Sequence, residues 1–223
     1  MIPVRDDNPT HSVPFVTILL VAANVLVFIY ELSLKSEHGV NAFFANFALI
    51  PAEIAYEPSP EAVRSVFTSM FLHGGWMHLI FNMWFLWIFG DNVEDSVGHF
   101  KFILLYLLCG VGAAVAQIAS APQSHVPMIG ASGAIAGVLG AYLLLFPRAR
   151  VLALFPIWIC FKFIYVPAWL LLIFWFLLQL FSGWSTSGGV HSGGVAFWAH
   201  VGGFVAGLLL IPLFKKRYVR LFQ

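Results

Sequence analysis

Apolar runs of membrane length constrain this chain more than any other feature. Residues 14–34 carry a single charged side chain, Glu31, and residues 195–214 carry none. About 20 such residues in a helix cross the ~30 Å hydrocarbon core of a bilayer. Lipid offers the backbone no hydrogen bonds, so a segment crossing it must satisfy its own N–H and C=O groups. Of the 223 residues, 61% are hydrophobic and only 9% are charged, too few to cover a water-exposed surface. The net charge of +1 gives no reason to expect a nucleic-acid partner. Cys109 and Cys160 fall in separate apolar runs without metal-type spacing, so they read as buried fillers and predict no disulfide.

The pattern predicts an all-α polytopic membrane domain over residues 14–214. Its six spans cover about 14–34, 68–90, 100–119, 131–146, 167–181 and 195–214. Residues 1–13 form a short cytoplasmic lead and residues 215–223 a basic cytoplasmic tail. Residues 35–66 form a long loop whose Phe43, Phe44 and Phe47 suit the membrane interface. Asp91-Asn92-Val93-Glu94-Asp95 is expected to end the second span. Residues 151–161 are too short to span and are broken by Pro156. They read as an interfacial or partly re-entrant connection. Gly-rich 183–194 reads as a flexible loop. Six spans place Arg5, Lys101, Arg148, Arg150, Lys162, Lys215, Lys216, Arg217 and Arg220 on one side, leaving Lys35 and Arg64 on the other. That bias puts both termini in the cytoplasm.

With this orientation, four polar residues from three spans share a depth in the outer half of the bilayer: His78, Asn82, Ser132 and His200. Polar side chains in lipid are costly unless they face one another or a wet cavity. Span four is short, roughly 24 Å at ~1.5 Å per residue, so its first turn begins below the outer surface. Ser132 then sits at a helix N-terminus, where free N–H groups favour an anion. Serine needs a base within hydrogen-bond reach, and His200 is the best candidate. Gly133 and Gly137, like Gly203 and Gly207, are four apart. Small residues at that spacing let two helices approach closely. His78 and Asn82 share a face of span two and can donate to an oxyanion together with the Ser132 N–H. His73 reads as structural. No Asp or Glu follows Asp95, so a Ser–His dyad is expected rather than a triad. The histidines lack a His-Glu-x-x-His spacing, so no metal site and no cofactor are predicted.

Three segments carry a resemblance. They are Phe71-Leu72-His73-Gly74-Gly75-Trp76-Met77-His78-Leu79-Ile80-Phe81-Asn82, Gly130-Ala131-Ser132-Gly133 and Ala199-His200-Val201-Gly202-Gly203. In order and spacing the chain resembles the rhomboid intramembrane serine proteases. The resemblance implies a six-helix bundle; the expected setting is a bacterial inner membrane, and the charge bias has the active site open to the extracytoplasmic side. It implies hydrolysis of peptide bonds in or near transmembrane segments of membrane proteins. Ser132 would be the nucleophile, His200 the base, and His78 and Asn82 the oxyanion contacts. It also suggests substrate access near span five, with Trp169, Phe174, Trp175 and Trp198 about the entry. The alternative is a non-proteolytic rhomboid-like binder of transmembrane clients. Two features depart from the family pattern. Arg64 lacks a preceding Trp, and Ala136 replaces the Tyr that stacks on the base in some members. His200 must therefore be oriented by Trp198 or by the bundle wall.

Overall fold

A computed structural model describes residues 1–34, 36–157, 160–186 and 195–223. Lys35, Trp158, Ile159 and most of the Gly-rich loop, residues 187–194, lie outside the described residues, as do the side chains of Pro156, Ile157 and Cys160. The chain opens with strand β1 (Ile2–Asp6), followed by helix α1 (Phe15–Ser33). Three short helices fill the first long loop: α2 (Glu37–Phe47), α3 (Pro51–Tyr56) and α4 (Pro60–Thr68). A single 3-10 turn, Ser69–Phe71, leads to α5 (Trp76–Val97), α6 (His99–Ser120) and α7 (Ser132–Leu145). The hairpin β2 (Arg150–Ile157) and β3 (Cys160–Pro167) comes next, then α8 (Ala168–Thr186) and α9 (Phe197–Phe214).

Among the described residues, α1, α6, α8 and α9 are long and apolar enough to cross a membrane. Helix α7 is apolar but shorter, and α5 carries Asp91, Glu94 and Asp95 in its last two turns. The protein is thus a mostly helical membrane protein with several apolar helices. Exposed Leu19, Leu26, Trp87, Phe181 and Leu209 on its outer faces fit lipid as solvent.

Three expectations are corrected. The all-α class fails because β1, β2 and β3 form an antiparallel sheet in that order. The described residues of 151–161 are not an irregular connection but strand, 151–157 and 160–161. Together with 162–167 they pair with themselves, Val151 opposite Val166 and Phe155 opposite Lys162. The run Cys160–Pro167 is rich in aromatic and β-branched residues, which suit a strand. The strand Ile2–Asp6 supplies the third member, with an irregularity between Pro3 and Arg5 where proline has no N–H to give. Finally, the acidic cluster does not end the second helix, which continues to Val97.

The acidic cluster instead fastens the N-terminal segment. Glu94, fully buried, accepts from the Val16 and Thr17 N–H groups at 2.9 and 2.8 Å and from the Thr17 hydroxyl at 2.7 Å. These are orphan donors at the start of α1, which has no capping side chain of its own. Thr10 donates to Asp91, and Ser12 to Asp95, both at 2.7 Å. The Trp84 indole donates to the Pro3 carbonyl at 2.7 Å. The Tyr142 hydroxyl of α7 donates to Asp6, and Arg150 pairs with Asp7 at 2.7 Å. The tail closes the same end, with Lys216 N–H on Ser96 and Phe222 N–H on Leu144. The N-terminal segment, the α5–α6 corner, the sheet and the tail therefore share one end of the bundle. At the opposite end, Leu49 and Met128 pair through their backbones, and Ala52 N–H bonds Ser124 O, so the first loop pins the loop before α7.

Helix α7 runs through the middle of the bundle, with nearly every residue from Gly133 to Leu145 buried. Its tightest neighbour is α9. The Gly203 Cα faces the Gly133 carbonyl and the Gly207 Cα faces that of Gly137, so closely that a Cβ on either would lie 1.9 Å from the oxygen. The small-residue spacing does bring these two helices together.

Candidate active site

Ser132 is the first residue of α7, so its N–H and the next two have no partner within the helix. The loop ahead of it is held by Gly130, whose N–H bonds Ser69 O at 2.9 Å. Gly130 has φ +116°, a conformation that disfavours a side chain. A Cβ there would also lie 2.6 Å from His78 Nε2. Glycine is thus needed both for the turn and for the approach of the His78 ring to the start of α7.

His200 is in the first turn of α9, one turn before Gly203. Its Nε2 is 2.7 Å from Ser132 Oγ. The close crossing of α7 and α9 lies just below this contact. His200 Nδ1 is 2.8 Å from Gln179 Oε1 on α8. The Trp175 ring lies tilted against the imidazole, centroids 5.8 Å apart and planes at 36°. Two groups in contact with His200 therefore come from α8. Sequence reasoning looked to Trp198 or the bundle wall and missed Gln179. The signal was available: Gln179 is the one polar side chain between Pro167 and Phe181, and such a residue in an apolar span usually has a partner.

His78 and Asn82 both line the same cavity as Ser132 and His200, a hollow of about 1330 Å³ open at the end of the bundle carrying the first loop. Asn82 is buried, and its Nδ2 has no hydrogen-bond partner among the described residues. An unpartnered buried donor is costly in isolation and useful where an oxygen arrives. Trp175 and Trp198 line the cavity, whereas Trp169 and Phe174 lie on the exposed face of α8, at 44% and 46% exposure. His73 precedes α5 rather than sharing the helix, and its N–H points at the Glu31 carboxylate, 3.2 Å away. Its ring stands edge-on to His78 with centroids 5.1 Å apart, so it buttresses that side chain from behind. The arrangement thus joins a hydroxyl to an imidazole at a helix N-terminus, with further donors facing the same hollow. Such a group can transfer an acyl unit.

The comparisons agree with this architecture. The rhomboid domain family matches residues 60–217, which takes in α5 to α9 and both members of the Ser–His pair. Rhomboid protein 1, mitochondrial, of Saccharomyces cerevisiae is 31% identical over 153 residues, covering 65% of this chain and 40% of that protein. Rhomboid-like protein 11, chloroplastic, of Arabidopsis thaliana is 44% identical over 71 residues, 32% of this chain and 25% of that protein. Rhomboid protease GluP of Bacillus subtilis is 43% identical over 76 residues, 34% of this chain and 14% of that protein. The matched segments make up less than half the length of each of these relatives. Their names point to mitochondria, to chloroplasts and to a bacterium, so kinship assigns a membrane setting without choosing the membrane. With the family match covering most of its length, from the first loop to the basic tail, this chain belongs to the rhomboid family.

Proposed function

We propose that the protein is an intramembrane serine endopeptidase acting on transmembrane protein substrates. The observation that carries the reading is the 2.7 Å contact between Ser132 Oγ and His200 Nε2 inside a cavity at a helix N-terminus. In the first step Ser132 Oγ attacks the carbonyl carbon of a peptide bond while His200 takes the hydroxyl proton. His78, Asn82 and the Ser132 N–H receive the negative charge that develops on the carbonyl oxygen. The C–N bond then breaks, and His200 passes its proton to the leaving amine. Water attacks the resulting ester, again with His200 as base, and frees Ser132 and the acid product. No cofactor enters these steps.

The reading extends to topology. The four long apolar helices, with α5 and α7, make six spans over residues 14–214. The residue 1–13 lead and the 215–223 tail face the cytoplasm, and the cavity opens on the other side. Substrate would approach along α8, past Trp169, Phe174 and Trp175, with Trp198 within. The test is cleavage of a transmembrane substrate in reconstituted vesicles, together with labelling by a serine-directed fluorophosphonate. Wild type is expected to cleave and to be labelled, and Ser132→Ala and His200→Ala to do neither. Undiminished cleavage by Ser132→Ala would refute the assignment.

A further inference from the structure

The protease reading leaves one question of geometry: what holds the base when the chain carries no carboxylate after Asp95. An imidazole on a single bond to Cβ can turn, and a neutral one can carry its proton on either nitrogen. Only the tautomer with the proton on Nδ1 leaves Nε2 free to accept from a serine hydroxyl.

We propose that Gln179 is a positioning residue that fixes His200 in that tautomer through its side-chain oxygen, with Trp175 setting the ring plane. The inference rests on the Ser–His reading above. Three observations carry it. Gln179 Oε1 is 2.8 Å from His200 Nδ1, while Ser132 Oγ is 2.7 Å from Nε2, so the two ring nitrogens have separate partners on two different helices. An amide oxygen can only accept, which requires a proton on Nδ1. Trp175 and Gln179 are four residues apart in α8, so they share a face and meet the same imidazole, one at its plane and one at its edge. And Gln179 is the lone polar side chain in an otherwise apolar stretch from Pro167 to Phe181. A glutamine in a lipid-facing helix stabilises nothing unless something inside the bundle bonds it.

The chemistry differs from that of a buried aspartate. A neutral amide orients the imidazole and selects its tautomer, but it adds no full negative charge to stabilise an imidazolium. The base is also held from a helix other than its own. Alignment of Nε2 on Ser132 therefore depends on α8 lying against α9, not only on the α7–α9 crossing.

The experiment uses the full chain in phosphatidylethanolamine–phosphatidylglycerol vesicles. It measures the fluorophosphonate labelling rate, kcat and KM on a transmembrane substrate, thermal midpoint, and the ¹⁵N solid-state NMR signals of the histidine rings. Gln179→Leu removes the acceptor while suiting the membrane. It is expected to lower kcat and the labelling rate on the order of 10- to 100-fold. KM and thermal midpoint should stay near wild type, and the His200 signals should no longer show a single Nδ1-protonated form. Gln179→Glu restores an acceptor at the same reach and is expected to recover most of the rate. It should also move the acid limb of the kcat/KM profile to higher pH, because a carboxylate favours the charged ring. Gln179→Leu working at the wild-type rate overturns the proposal. So does a loss that tracks a fallen thermal midpoint and is not recovered by Gln179→Glu. If wild type is not labelled at Ser132, the protease reading fails and the proposal falls with it. If Ser132-dependent labelling is intact and unaffected by Gln179→Leu, only the role of Gln179 is lost.

Discussion

Replacing Gly203 with alanine should disable the site without touching any group that does chemistry. A methyl carbon on Gly203 would fall 1.9 Å from the Gly133 carbonyl oxygen, whereas real contacts of this kind essentially never fall below 3.0 Å. The obstacle is backbone, not a flexible side chain, so α9 must withdraw from α7 by about 1 Å. The clash lies next to Ser132 on one helix and one turn from His200 on the other. A withdrawal of that size carries the 2.7 Å Ser132–His200 contact beyond hydrogen-bond reach. A misplacement of about 1 Å costs on the order of 10²-fold in rate. Overpacking a filled crossing costs about 1–3 kcal/mol of stability. The assay is the labelling rate of reconstituted protein beside its thermal midpoint. Leu209→Ala on the lipid-facing side of α9, where Leu209 is 69% exposed, serves as a control that should change neither by much. Gly207→Ala, with the same 1.9 Å conflict against Gly137 O one turn further from the dyad, should be destabilised alike but lose less rate. Wild-type labelling by Gly203→Ala would refute the argument that the glycine crossing sets the dyad distance.

Three further expectations follow from other contacts. Asn82→Ala removes the proposed oxyanion donor and should lower kcat on the order of 10²- to 10³-fold with little change in KM, read by steady-state cleavage. Glu94→Ala strips the start of α1 of three hydrogen bonds to a buried carboxylate. It should cost about 3 kcal/mol, measured by unfolding in mixed detergent. Asp6, in the sheet, has its carboxyl raised from 3.8 to about 6, chiefly by burial, with the Tyr142 hydrogen bond opposing. The folded state therefore favours the protonated acid. Its contribution is fully present below pH 3.8 and is lost as pH rises through about 6. Asp6→Asn should flatten the pH dependence of stability across that window, and an unchanged slope would contradict the burial argument.

The sequence by itself determined the solvent, and with it most of the helices. Apolar runs near 20 residues favour helix in lipid, so α1, α6 and α9 begin and end within a few residues of their expected bounds, whereas α8 runs on to Thr186, into the stretch expected to be loop. It also determined the close meeting of α7 and α9. Two glycine pairs at a spacing of four present bare backbone on one face, a property local to each helix. The meeting of Ser132 and His200 was legible because each sits at the end of such a face. The tertiary structure decided what depends on residues distant in sequence. The hairpin Arg150–Pro167 gained its third strand when Ile2–Asp6 reached across some 150 positions to pair with it. The acidic residues of α5 stayed helical because Thr10, Ser12 and the start of α1 bonded them from outside that helix. Gln179 was visible as an oddity in an apolar run. Its oxygen met His200 through the packing of α8 on α9, a geometry that no local pattern encodes.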